Sequence, residues 1–486
     1  MKFFLEKNNN FKNEVVNDRK KLIPFDWNKG FLSKFILMNK KNITKETKEI
    51  YYVDISSVQN NQIVQKQKLN NNFPSRAKRI IEKDDIIVST VRPNLKCFSY
   101  VEETTNNLVC STGFVTLTSV EISSKFLFFI FNQNDTTEYL IQNCIGGTYP
   151  TFNPKIFNDF EIAIPNISEQ NLISDFLWER KKLIDSYINQ KNLALKTIKS
   201  YQQIILNGKT RMKLSKEKEQ ELLSKDVISL VEEKAEKEQF SFFNINEGKF
   251  EEFVSLVDLT KDIVFYQNDE ANWKTKEVNE LQKQLPKDWN VEQLYKKVNF
   301  IKGKSIPENQ LNYNGEGLKY LKTTEFWLDS SSKRDTVHYT GKVEEKYMKK
   351  KDEYVFSMDG FNNKIGQGTL GLISNEDEGI VSTSFYKLEK NDIYHLVVNV
   401  LKSNYVQNFI MRLGEGTTVY HAGKYMKNLQ GIFPKSTVEQ KLLSMIFEKE
   451  EKLVDSLKEK IKLEEKVFKY LQQELLSGRI RIKVEE

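Results

Sequence analysis

Apolar positions along this chain repeat with the period of a helix in two places. In the segment 169–213, Ile173, Leu177, Ile184, Tyr187, Ile198, Tyr201 and Ile205 recur at spacings of 3, 4, 7 and 11. Those spacings place them on one helical face, the stripe of a coiled-coil seam. Shifted by 270, the same positions read Leu443, Phe447, Val454, Leu457, Phe468, Leu471 and Leu475. Every position stays apolar although every residue changes. No Pro or Gly interrupts 170–207, so the pattern predicts a helix roughly 55–60 Å long at 1.5 Å per residue. Gly208 and Gly478 stand where a helix C-terminus favours glycine. Ser168 and Thr437 are the expected hydroxyl caps at the other ends. One such seam cannot be left in water, and the two copies are natural partners for each other.

The shared stripe is part of a true repeat. Aligned without a gap, 169–213 and 439–483 are identical at 17 of 45 positions. Glu169 and Gln170 match Glu439 and Gln440, and Gly208, Arg211 and Lys213 match Gly478, Arg481 and Lys483. The repeat continues more weakly ahead of each helix. Pro24-Phe25-Asp26-Trp27-Asn28 resembles Pro286-Lys287-Asp288-Trp289-Asn290. Asp85-Ile86-Ile87-Val88-Ser89 resembles Asp352-Glu353-Tyr354-Val355-Phe356-Ser357. Ser111-Thr112-Gly113-Phe114 resembles Ser382-Thr383-Ser384-Phe385. Gly146-Gly147-Thr148-Tyr149-Pro150 parallels the Gly-rich run 414–420. Short β-branched runs at 86–90 and 108–117 read as strands, and 126–140 and 396–411 as helical segments. Trp27 and Trp289 read as packing anchors at the start of each globular part.

Composition narrows the class. A chain of 486 residues is too long for one core, so two or more domains are the prior. The net charge of +7 and a pI near 8.8 fit a nucleic-acid partner without demanding one. Three cysteines, Cys97, Cys110 and Cys144, make no C-x-x-C pair, and the three histidines lie away from any cysteine. Neither a disulfide framework nor a metal site is readable. The N-terminus has no apolar stretch suited to a signal peptide, and the apolar run at 126–131 is far short of a bilayer span. These features predict a cytoplasmic protein with no membrane partner.

In their order, these motifs resemble the specificity subunits of type I restriction–modification enzymes. The resemblance rests on the Pro-x-Asp-Trp openings, the Lys-x-Asp-x-Ile-Val-Ser strand at 83–89, the Ser-Thr-Gly-Phe run, and Gly-Gly-Thr-Tyr-Pro-Thr-Phe-Asn at 146–153. Ile162-Ala163-Ile164-Pro165 and the Glu-Gln that opens the helix follow. It implies an α+β chain: two mixed α/β target-recognition domains separated by two long antiparallel coiled-coil helices. The expected parts are an N-terminal segment (1–23), recognition domain 1 (24–167), the central helix (168–213), a linker or inserted subdomain (214–285), recognition domain 2 (286–436) and the C-terminal helix (437–486). The resemblance further implies a non-catalytic subunit that reads a split target in double-stranded DNA and docks two modification subunits and restriction subunits. The chain itself is then expected to bind no cofactor, with S-adenosylmethionine, ATP and Mg on the partners.

DNA contacts are expected where basic and amide side chains cluster in loops, because Lys and Arg neutralise phosphate and Arg, Asn and Gln pair with base edges. In the first domain the candidates are Arg76, Lys78 and Arg79; Arg92, Asn94 and Lys96; and Thr148, Tyr149 and Thr151. In the second they are Lys333 and Arg334; Asn362, Asn363, Lys364 and Gln367; and Thr417, Thr418 and Tyr420. A phosphate-binding loop is rejected, since no Gly-Lys-Ser/Thr follows the glycines. A fused methyltransferase lacks its motif: Asn153-Pro154-Lys155 misses the second proline and the aromatic. The alternative functions are a coiled-coil scaffold and a specificity subunit of another phage-defence methylation system.

Overall fold

A computed structural model of the chain describes residues 2–5, 10–17, 19–103, 106–214, 263–267, 273–322, 336–357, 359–360, 373–374, 378–413 and 420–483. It divides into two compact units, Met1–Lys191 with Leu457–Glu486, and Asn192–Ser456. The architecture is α+β, with two sheet-rich parts and long helices in the chain order that the repeat predicts.

In the first unit, one four-stranded sheet runs Ala77–Ile80, Leu108–Ser111, Glu49–Val53, Gln67–Asn70, with Leu108–Ser111 parallel to Glu49–Val53. A second, antiparallel sheet runs Phe98–Tyr100, Ile86–Ser89, Phe114–Ser119, Ile36–Met38. The chain crosses between them at Thr112 and Gly113, which splits the apolar run 108–117 into two strands. All four residues of Ile86–Ser89 are buried, so this central strand is covered on both faces. Behind this sheet lies helix α1 (Ser124–Phe131), with six consecutive buried apolar residues, Phe126 to Phe131. Each contributes roughly 1.5–3 kcal/mol of burial. The helical run then breaks and restarts as α2 (Asn134–Gln142), because the Asn132 amide bonds back to Phe128 O at 2.8 Å.

The second unit repeats this plan. One sheet runs Phe300–Lys302, Phe385–Leu388, Val355–Ser357, Ile373–Ser374. The other runs His338–Tyr339, Leu318–Leu321, Gly379–Val381, Met348–Lys349, again with one parallel pair. Its helical run divides the same way, into α4 (Tyr394–Lys402) and α5 (Asn404–Leu413) around Ser403.

The predicted long helices are α3 (Ile167–Leu206) and α6 (Thr437–Leu476), each of 40 residues. Their N-caps differ from the expected Ser168 and Thr437. Asn166 Oδ1 accepts the Glu169 N–H at 3.0 Å, and Ser436 Oγ accepts that of Glu439 at 3.3 Å. Both helices begin earlier because the side chain that reaches back sits one or two residues upstream. Within the first unit the helices run antiparallel. Ile173 and Leu177 share a core with Leu475 and Leu476, Arg180 pairs with Glu464 at 3.1 Å, and Lys460 lies 4.4 Å from the Tyr187 ring centre. Within the second unit the same sense holds: Gln202 reaches Glu450 at 3.5 Å, and Ile205 packs with Leu442, Leu443 and Phe447.

Of the seam residues, Ile173, Leu177, Ile184, Ile205, Leu443, Phe447, Val454, Leu457 and Leu475 are buried. Tyr187, Ile198, Phe468 and Leu471 are half-buried, and the side chain of Tyr201 lies outside the described residues. The seam is more than a helix–helix contact, since its ends enter the cores of the sheet-rich parts.

Part of the segment read as N-terminal extension and linker is itself a repeat. Strands Phe11–Val16 and Arg19–Pro24 form a hairpin, and Trp273–Val278 with Leu281–Pro286 form its counterpart 262 residues later. Each turns at an asparagine with positive φ, Asn17 at 50° and Asn279 at 48°. Each asparagine then makes matching hydrogen bonds, Asn17 to Glu161 and Asn279 to Gln430. Lys2–Leu5 pairs with Ile480–Lys483 exactly as Ile263–Gln267 pairs with Thr210–Leu214, antiparallel in both cases.

Candidate nucleic-acid interface

After the buried strand Ile86–Ser89 the chain leaves the sheet through a tight turn. Arg92 and Lys96 bracket the 3-10 turn Pro93–Leu95, and both adopt the left-handed conformation, φ 47° and 48°. That conformation is unfavourable for a side-chain-bearing residue, more so ahead of proline. Tertiary contacts hold it. The Arg92 N–H donates to Pro150 O at 2.8 Å, its Nη2 to Thr148 O at 3.1 Å, and its guanidinium carbon lies 4.4 Å from the Tyr149 ring centre. Val91 bridges Thr151, and Phe152 N–H donates to Thr90 O. The Gly-rich loop therefore lies directly on the 90–96 turn. Gly146 needs its glycine: φ is +98°, and a Cβ there would meet Tyr149 O at 3.2 Å.

The third predicted cluster joins the same row. Thr112 N–H donates to Arg76 O and Thr90 N–H to Gly113 O, both at 2.8 Å. Three stretches far apart in sequence, near Arg76, Arg92 and Tyr149, are thus stitched together through the Ser111-Thr112-Gly113 turn. Arg76, Lys78, Asn94, Thr148, Tyr149 and Thr151 are exposed. Arg79 is half-buried, burial lowers its pKa, and its Nη1 is buried with no hydrogen-bond partner among the described residues.

Lys96 departs from the expectation of a free loop cation. Its ammonium donates to Asn132 O and Asn134 Oδ1, both at 3.1 Å. Burial, followed by the nearby Lys469, lowers its pKa. The amide of Asn61 donates to Lys96 O and Phe98 O from the other side. These asparagines were invisible in the sequence because each lies at least 35 residues or a whole helix away from the turn it fixes.

In the second unit, Asp359–Gly360 pairs with Tyr420–His421, placing Gly360 opposite Tyr420. This is the counterpart of the bridge between Val91 and Thr151 in the first unit. Lys333, Arg334, Asn362, Asn363, Lys364, Gln367, Thr417 and Thr418 lie outside the described residues, as does the side chain of Tyr420.

One ion-pair cluster, buried at Arg481 and Glu169 and exposed at Asp26, joins residues that the repeat motifs contain. Arg481 donates to Glu169, once at 2.6 Å, and to both oxygens of Asp26 at 3.1 and 2.9 Å. Burial opposes its charge, but the two carboxylates outweigh that and hold its pKa above the usual value. The helix-opening Glu, the Pro-x-Asp-Trp Asp and the Arg after Gly478 thus meet at one point. Trp27 and Trp289 are both buried. Gly478 packs against Pro24 and Trp27, and Gly208 against Pro286 and Trp289. Among the described residues there is no helix long and apolar enough to cross a membrane, and no group of three or more His, Cys, Asp or Glu placed to hold a metal.

Comparison with known proteins agrees with the motif order. The family model described as the type I restriction modification DNA specificity domain matches residues 26–197. The specificity subunit of the type I restriction enzyme HindI from Haemophilus influenzae is 28% identical over 148 residues, 29% of this chain and 32% of that protein. The match thus spans about a third of that relative's length. The S subunit of a type I restriction-modification system from M. genitalium has a similar fold, with a TM-score of 0.53 at 15% identity over 94% of this chain and 97% of that one. The HsdS subunit from Thermoanaerobacter tengcongensis aligns over 94% and 98% of the two chains at 15% identity, with a TM-score of 0.36. Residues 26–197 thus match the type I restriction modification DNA specificity domain, and the motifs of that stretch recur in the same order in the second half of the chain.

Proposed function

We propose that this chain is the specificity subunit of a type I restriction–modification complex, in which each unit reads one half of a bipartite site in double-stranded DNA. The observation that carries this reading is the recurrence of one loop arrangement on two copies of one fold. In each unit the segment after a central strand pairs with the end of the Gly-rich loop. The loop sequences differ while the frame is kept. Such a frame varies target choice without altering the scaffold. Affinity then comes largely from phosphate contacts and selectivity from base edges, and joining two weak readers in one chain gives a longer selective site.

Catalysis resides on partner subunits, which supply S-adenosylmethionine, ATP and Mg. Two modification subunits dock on equivalent surfaces, and restriction subunits join them. Support for two equivalent docking places is an open cleft at the start of each long helix. The first is lined by Tyr100, Lys125, Asn171, Asp175, Trp178 and Lys182, the second by Lys296, Lys297, Asn391, Thr437, Gln440 and Lys441. Asn171 and Lys441 occupy the same repeat position.

Affinity purification of the full chain from its own cells tests the assignment. It should bring down an adenine methyltransferase, and native mass spectrometry should give two copies per chain. A chain that retains other proteins but no methyltransferase is a scaffold and overturns the proposal.

A further inference from the structure

We propose that Arg92, held against Tyr149, is the guanine-reading side chain of the first unit; this rests on the DNA-reading role proposed above. Guanine presents two acceptors, O6 and N7, in the major groove, and a planar guanidinium matches them with two parallel N–H donors. A reader of this kind must be planar, oriented, uncompensated by a carboxylate, and open on its donor edge. Arg92, half-buried, meets the first three, and its Nε and Nη1 carry no hydrogen bond among the described residues.

Its orientation is fixed before any ligand arrives. The backbone is locked by the bond to Pro150 O, and the head group is fixed by Thr148 O and the face of Tyr149. Ordering a free arginine on binding costs on the order of 1 kcal/mol or more of side-chain entropy, and here the fold has ordered it already. Among the described residues, no carboxylate forms an ion pair with Arg92, and its Nε and Nη1 make no hydrogen bond. Tyr149 is 66% exposed, so the stack stands at the surface instead of closing a core. The left-handed φ of 47° ahead of Pro93 adds a strained backbone, which persists where a side chain must be aimed. Lys96, the other left-handed residue of the turn, spends its ammonium on Asn132 and Asn134 and leaves Arg92 as the cation of the turn with unused donors.

The test uses the full chain with its own modification subunits and maps adenine methylation on genomic DNA. The wild type defines the motif. Arg92→Lys keeps the charge but loses the planar fork, so one guanine position of one half-site should lose its preference by about 5- to 150-fold, the range for a bidentate contact. Tyr149→Phe keeps the ring and should retain the motif, while Tyr149→Ala should relax the same position as Arg92→Lys. An unchanged motif with uniformly weaker modification in Arg92→Lys would show a phosphate contact and overturn the inference. A wild type that directs no motif at all would instead overturn the DNA-reading role itself. Thermal melting of each variant, expected within a few degrees of wild type, separates misreading from misfolding.

Discussion

Replacing Arg481 with methionine deletes the cation on which the Pro-x-Asp-Trp motif, the start of α3 and the C-terminal strand converge. Glu169 is 6% exposed, so losing Arg481 strands a buried carboxylate without its partner. Breaking a buried pair from one side costs about 3–5 kcal/mol. Asp26, whose side chain is 62% exposed, returns to water and adds little. In urea, with a slope of about 1–3 kcal/mol per molar, the midpoint should fall by about 1 M or more. The assay is a urea titration of the full chain followed by tryptophan fluorescence, in which Trp27 and Trp178 report on the first unit. Adding Glu169→Gln to Arg481→Met removes the stranded charge and should recover part of the loss. A loss below about 1 kcal/mol, or a double variant no more stable than Arg481→Met alone, refutes the claim that this pair locks the unit.

Three further outcomes follow from the same geometry. Gly208→Ala and Gly478→Ala each force a Cβ onto a left-handed residue, φ 70° and 73°, against Pro286 and Pro24. Each should destabilise its own unit by about 2–5 kcal/mol, combining backbone strain with overpacking, as read by thermal melting. Glu450 is buried in the second unit, and burial raises its pKa from 4.5 to about 8. Since the folded pKa lies above the unfolded one, the fold bears no penalty at acid pH and loses stability as pH climbs from 4.5 to about 8. Glu450→Gln should remove that decline, and identical pH profiles of denaturation midpoint for the two proteins would refute the reading. Asn17→Ala and Asn279→Ala should each loosen one hairpin, seen as faster amide exchange in Phe11–Val16 or Trp273–Val278 respectively.

The long helices were legible because their stripe and their identities share one frame, and both run 40 residues, as stretches free of Pro and Gly allow. The identities themselves gained meaning only in three dimensions. Glu169, Asp26 and Arg481 are far apart in sequence, and no spacing rule places them in one ion-pair cluster. The caps were misplaced by one or two residues because Asn166 and Ser168, or Ser436 and Thr437, are equally plausible cap residues locally, and only the backbone path chooses between them. The hairpin 273–286 lay in the presumed linker because its match to 11–24 is short: Lys12, Val16, Asn17, Lys21 and Pro24 recur as Lys274, Val278, Asn279, Lys283 and Pro286, but Val15 and Leu22 become Glu277 and Gln284. Of the candidate interface, sequence supplied the three loop clusters in the first domain. Their junction through Thr112 and Gly113 depends on sheet topology, and so does the diversion of Lys96 to Asn132 and Asn134.

The central claim is that this chain selects a two-part DNA target for modification. Genome-wide mapping of methylated adenine in cells with and without its gene tests that claim most directly. The account predicts that one motif, made of two short specified blocks around a stretch of unspecified bases, disappears on deletion and returns on complementation. Loss of methylation at a continuous motif, or an unchanged methylation map in cells whose modification subunits are active, would contradict it.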